Sequence, residues 1–126
     1  MKNVKFLLSA ALVFLASAAL AQDFSAPQYA KWGATPEERE QNILNSNFLK
    51  ESCDNRDYDA AAHYLKGLID KIPDAAESIY QRGAVVYKNK INRAKSVAEK
   101  NMFIDSLMLM YDMLSLIHIS EPTRLG

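Results

Sequence analysis

A single cysteine, Cys53, stands in a chain of 126 residues, so no internal disulfide framework can form. With two histidines beside it, the chain also lacks the ligand set of a structural zinc site. Glycine is equally scarce. Of four, Gly33, Gly67 and Gly83 stand alone in the body of the chain, which leaves no glycine-rich loop to cradle a phosphate. Neither sign of charge dominates: 15 basic and 15 acidic residues give a formal net charge of zero, and nothing global steers the protein to nucleic acid. Strand-type alternation is missing throughout. What is present is 49% hydrophobic and 24% charged sequence, enough for one small helical domain.

The two ends read differently from the middle. Lys2 and Lys5 precede an apolar, alanine-rich run from Phe6 to Ala21 that closes on Ala19-Leu20-Ala21. This is the pattern of a secretory signal peptide over residues 1–21, so the mature chain is expected to start at Gln22 as a periplasmic or secreted product. Cys53 lies far beyond the cleavage site, and the lipoprotein route has nothing to acylate. No stable membrane span is expected in the mature chain. At the other end, Leu114 to Arg124 resembles the in-frame translation of a transposon-end sequencing adapter. Residues 114–126 are therefore expected to be a non-native tail, with the authentic reading frame continuing unseen beyond Met113.

Between the ends, residues 22–34 hold Phe24, Pro27, Tyr29, Trp32 and Gly33 without periodicity, and predict an irregular leader whose tryptophan packs on the first helix pair. Four helices follow over residues 35–113. Thr35-Pro36-Glu37-Glu38 reads as a capping box with proline at the first helical position. It opens a helix over 36–55 with Ile43, Leu44, Phe48, Leu49 and Cys53 on one broad face. Asp57 caps a second helix, 58–72, which Pro73 stops. Asp74 with Glu77, and Ser96 with Glu99, repeat the capping pattern and open helices over 75–93 and 97–113. The last of these carries Phe103, Ile104, Leu107, Met108, Met110 and Tyr111 around more than half its circumference, and such a helix needs neighbours on two sides. Self-association through Phe103, Leu107 and Met110 is the expected consequence.

Short connections make successive helices antiparallel, as in a stacked solenoid or a four-helix bundle. The stretch Asn55-Arg56-Asp57-Tyr58-Asp59-Ala60-Ala61-Ala62-His63-Tyr64-Leu65 resembles the turn and second helix of a tetratricopeptide repeat. Tyr58, Ala61, Leu65, Leu68, Ile69 and Pro73 fall on that family's tyrosine, small, large, small, apolar and proline positions, and Gly83 matches its small position in a second unit. Leu49 departs from the family's glycine and Leu68 from its alanine. Leu107 aligns with Leu65 only if the second unit is lengthened around Lys88 to Lys100, giving a basic tip of Lys88, Lys90, Arg93, Lys95 and Lys100.

The resemblance implies an all-α stack of helix pairs with a concave groove lined by the first helix of each unit. Carried over by position, the groove takes Ser46, Lys50 and Cys53 from the first helix and Tyr80, Ala84, Tyr87 and Lys88 from the third, and would hold an extended protein or peptide segment. Ser46 and Lys50 stand where some relatives use lysine and asparagine on a terminal carboxylate, so that specific mode is not implied. Two other roles compete with peptide docking. One is an accessory module for envelope polysaccharide, with Trp32, Tyr80 and Tyr87 as stacking platforms. The other is the N-terminal repeats of a longer protein with an enzyme domain.

Catalysis by these residues themselves is not expected. An EF-hand starting at Asp54 would need glycine and glutamate where Asp59 and Leu65 stand, which leaves Asp54, Asp57 and Asp59 as helix-capping groups. Cys53 and His63 could form a nucleophile pair across a helical turn, but no third orienting group accompanies them. No metal, cofactor or catalytic residue is assigned.

Overall fold

The computed structural model describes residues 23–120. The expected signal peptide and residues 121–126 lie outside them. Helices α1 (Pro36–Asp54), α2 (Tyr58–Lys71), α3 (Glu77–Asn92) and α4 (Val97–Ser120) follow a 3-10 turn at Pro27–Trp32, and no strand occurs among the described residues. The fold is all-α.

Each helix start has a local cause. The Glu38 amide donates to Thr35 Oγ1 at 3.2 Å, while the Glu38 carboxylate reaches back to the Ala34 amide at 3.0 Å, one residue earlier than a strict capping box requires. Asp57 Oδ1 accepts from the Ala60 amide at 3.2 Å and Ser96 Oγ from the Glu99 amide at 3.1 Å, so α2 and α4 begin where their caps predict. The third expected cap does not form. The chain makes a turn in which the Ala75 amide donates to the Ile72 carbonyl at 3.2 Å, and α3 begins at Glu77 after an extended Ala76 with no side-chain cap. Asp74 is spent in that turn, and the helix expected from residue 75 starts two positions later.

The leader is more ordered than its lack of periodicity suggests. Arg39 donates to the Gly33 carbonyl and to the Phe24 carbonyl, both at 2.9 Å, and buried Asn42 donates to the Trp32 carbonyl at 2.8 Å. Two polar side chains on one face of α1 thus satisfy carbonyls that a short 3-10 turn leaves open, and Trp32 packs against the core.

The core runs through all four helices. Leu49, Ala61, Leu65, Leu68, Ile79, Tyr80, Val86 and Met110 are almost without exposed surface, and each large side chain among them contributes roughly 1.5–3 kcal/mol by its burial. α3 is central: it lies against α2 on one side and α4 on the other, and also reaches α1. The helices therefore stack in sequence order. α3 and α4 close up at Gly83, where a Cβ would stand 2.5 Å from Met110 Sδ and 3.2 Å from Leu65 Cδ1.

α4 does not stop at Met113. Phe103, Leu107, Met110, Leu114 and Ile117 recur at alternating fours and threes, and this inward stripe carries the helix on to Ser120. Leu114 and Ile117 pack against the core, and His118 Nε2 lies 2.8 Å from a Glu77 carboxylate oxygen at the start of α3. The stretch that resembles a translated adapter thus continues the helix before it without a break.

Candidate docking surface

The seven residues expected to line a groove do not share an open face. Tyr80 has no exposed surface and donates its hydroxyl to the Pro73 carbonyl at 2.7 Å. Burial, with the Asp74 charge as a lesser cause, raises the Tyr80 pKa. Ala84 and Ser46 are also buried. The ring of half-buried Tyr87 meets Phe103 of α4 at 6.3 Å between centroids, and the Lys88 ammonium lies 5.7 Å from the Tyr111 ring centre. Lys50 is exposed and loosely paired with Asp54 at 3.9 Å. The groove assignment is corrected accordingly: α1 and α3 bury Ser46, Tyr80 and Ala84, and α4 takes up the side of α3 that Tyr87 and Lys88 present.

The nucleophile pair is not assembled either. No hydrogen bond joins Cys53 to His63, and the exposed His63 ring instead meets Tyr64 edge-on at 5.6 Å. Half-burial raises the Cys53 pKa above its usual value, opposed by the Arg82 charge and assisted by Asp54. No group of three histidine, cysteine, aspartate or glutamate side chains converges on a metal position among the described residues.

What the structure exposes is the far side of α4. Ile104, Met108, Leu109 and Tyr111 keep between 37% and 53% of their surface, and Met102 and Leu116 more than half. The residues expected to drive self-association face the other way: Met110 is only 2% exposed, and Phe103 and Leu107 are half-buried. The sequence left the inward stripe of α4 open, because apolar residues lie around more than half of this helix and their periodicity does not say which of them turns inward. Val97–Ile119 is also long and apolar enough, by length and composition, to cross a membrane.

A second feature lies at the end of the stack where the α1–α2 and α3–α4 turns meet. A cleft of about 370 Å³ is lined by Arg56, Asp57, Tyr58 and Asp59 on one side and Lys90, Arg93, Lys95, Glu99 and Phe103 on the other. Lys90 crosses it to Asp59 at 2.8 Å, and both this hydrogen bond and the ammonium charge lower the Asp59 pKa. The Arg93 guanidinium lies 5.3 Å from the Tyr58 ring centre and Lys90 Nζ 5.4 Å from that of Phe103. The basic tip was legible in the sequence; its meeting with Arg56 and Asp59 was not, because those come from the other hairpin.

Comparison with protein-family models, curated proteins and solved structures gives no match to this chain.

Proposed function

We propose that the chain is a non-catalytic protein-docking scaffold of an exported bacterial protein, and that the outer face of α4 is its docking surface. The observation that carries this reading is the exposure of Ile104, Met108 and Leu109 on a helix whose opposite stripe is already seated on the core. Lone exposed apolar side chains need no explanation, whereas a contiguous row favours a partner surface. The tetratricopeptide-like character of the stack is part of the same proposal, supported by small residues at Ala61 and Gly83. Export rests on the pattern of Lys2, Lys5 and the apolar run after them.

The occupant that best complements this face is the α4 of a second copy. Lys100, Ile104, Met108 and Asp112 follow at four-residue spacing on one side of the helix, and all four are exposed. An antiparallel pairing centred between Ile104 and Met108 sets Lys100 opposite the partner's Asp112, and Ile104 opposite the partner's Met108. Such a contact is self-complementary under a two-fold axis. Sedimentation from micromolar to several hundred micromolar protein is expected to show a monomer–dimer equilibrium. Lys100→Asp weakens it by setting two aspartates face to face, and the double change Lys100→Asp with Asp112→Lys restores it. A monomer over the whole range, or a double variant no better than the single one, overturns the assignment.

Burial favours docking over the polysaccharide alternative. Tyr80 is buried, the Tyr87 ring lies tilted against Phe103, and half-buried Trp32 packs against the core.

A further inference from the structure

The geometry points to a second binding site, independent of α4's outer face: the cleft between the α1–α2 and α3–α4 turns receives an acidic peptide segment. Its volume of about 370 Å³ suits one or two side chains and falls within the range of small-ligand pockets. The charge within it is unevenly spent. Asp59 is tied to Lys90, and Asp57 is turned into the first turn of its own helix. Arg56, Arg93 and Lys95 form no ion pair within 4 Å among the described residues, although Arg93 and Lys95 act on the Asp59 charge at longer range as lesser causes of its lowered pKa, and Glu99 is the one lining carboxylate with no side-chain bond of its own. The Arg93 guanidinium lies 5.3 Å from the Tyr58 ring centre, a contact that helps to fix its position on the cleft.

Arg56 reaches the cleft from the end of α1. It has a positive φ, 59°, the only such non-glycine residue among those described. Left-handed backbone suits glycine and asparagine far better than arginine. That conformation is the ordinary C-terminal cap of α1, in which the Arg56 amide donates to the Cys53 carbonyl at 3.0 Å and the Asp57 amide to the Ser52 carbonyl at 2.8 Å, and it sets the Arg56 side chain on the cleft. The cap thus carries a cation at a position where glycine or asparagine is commoner.

Carboxylates on a flexible segment are favoured over a bulkier aromatic ligand because both ring faces in the cleft are already covered by Arg93 and Lys90. The test uses a fluorescein-labelled tetraglutamate peptide with an amidated C-terminus and a tetraglutamine control, read by anisotropy. Saturable binding of tetraglutamate alone is expected at low ionic strength, weakened by rising salt as exposed charge pairing requires. Arg56→Asn combined with Lys95→Gln lowers the affinity at least tenfold, whereas Lys66→Gln, on the exposed side of α2, changes it less than twofold. Arg56→Asn by itself suits the left-handed turn, so its melting temperature stays equal or rises while binding falls, and unfolding cannot explain the loss.

The proposal is overturned if tetraglutamate does not saturate, if tetraglutamine binds equally, or if Lys66→Gln costs as much as the double change. Displacement of the peptide by an equal concentration of inorganic phosphate also overturns it in favour of a general oxyanion site. The dimer is read separately. Met108→Ser weakens the α4 contact without changing charge and lies outside the cleft, so it is expected to bind tetraglutamate with unchanged affinity, and failure of either proposal leaves the other standing.

Discussion

At the scale of the residue, close approach decides more than polarity does. Replacing Gly83 by alanine gains about 1 kcal/mol of helix propensity. The added Cβ, however, falls 2.5 Å from Met110 Sδ and 3.2 Å from Leu65 Cδ1, and both side chains are enclosed. Overpacking costs about 1–3 kcal/mol, so the expected net effect of Gly83→Ala is a destabilisation of about 1 kcal/mol, measured as a fall in the urea midpoint. A rise in that midpoint would show that Met110 swings aside freely. Asp59 carries a pH signature. Its folded pKa is lowered by Lys90, so its contribution to stability is in place above the unfolded value of about 3.9 and disappears as pH falls through the folded value. Thermal melts of Asp59→Asn are expected to lie below the parent at pH 7 and to converge with it near pH 2. Cys53, with its pKa raised by burial, is expected to react with iodoacetamide at pH 8 more slowly than a free thiol and to match it once urea unfolds the chain.

At the scale of the element, α4 concentrates what the sequence said clearly and what it left ambiguous. Its cap at Ser96 was legible because a hydroxyl three residues before Glu99 acts locally. Its inward face was not, because Phe103, Leu107 and Met110 differ little in hydrophobicity from Ile104, Met108 and Leu109. Its end was misplaced for another reason: the spacing of Leu114 and Ile117 continues the inward stripe whatever the origin of those codons. A chain ending at Met113 is expected to keep α1–α3 and to lose about 1–3 kcal/mol, from the half-burial of Leu114 and Ile117 and the His118–Glu77 contact. Circular dichroism melts check this. A chain that fails to fold would place residues 114–120 among the elements the core requires. The leader shows the reverse case, since its 3-10 turn is held by Arg39 and Asn42 from α1 and carries no periodicity of its own.

At the scale of the whole molecule, the buried residues of all four helices form one cluster, and Trp32 of the leader packs on it. Such continuity favours a single cooperative transition over repeat-by-repeat unfolding. Helicity by circular dichroism and the fluorescence of Trp32, the only tryptophan, are therefore expected to change at the same urea concentration; separated midpoints would show that the first and second helix pairs melt apart. By itself the sequence determined the helical class, three of the four helix starts and the turn at Arg56–Asp57, because caps, proline and three-to-four spacing act within a few residues. Only the tertiary structure decided that Tyr80 and Ala84 are sealed inside, that α4 shows Ile104 and Met108 to the outside, and that Arg56 meets Arg93 and Lys95 across a cleft. Those outcomes depend on which helix face finds which neighbour, a choice made by contacts between residues far apart in the chain and written in no local pattern.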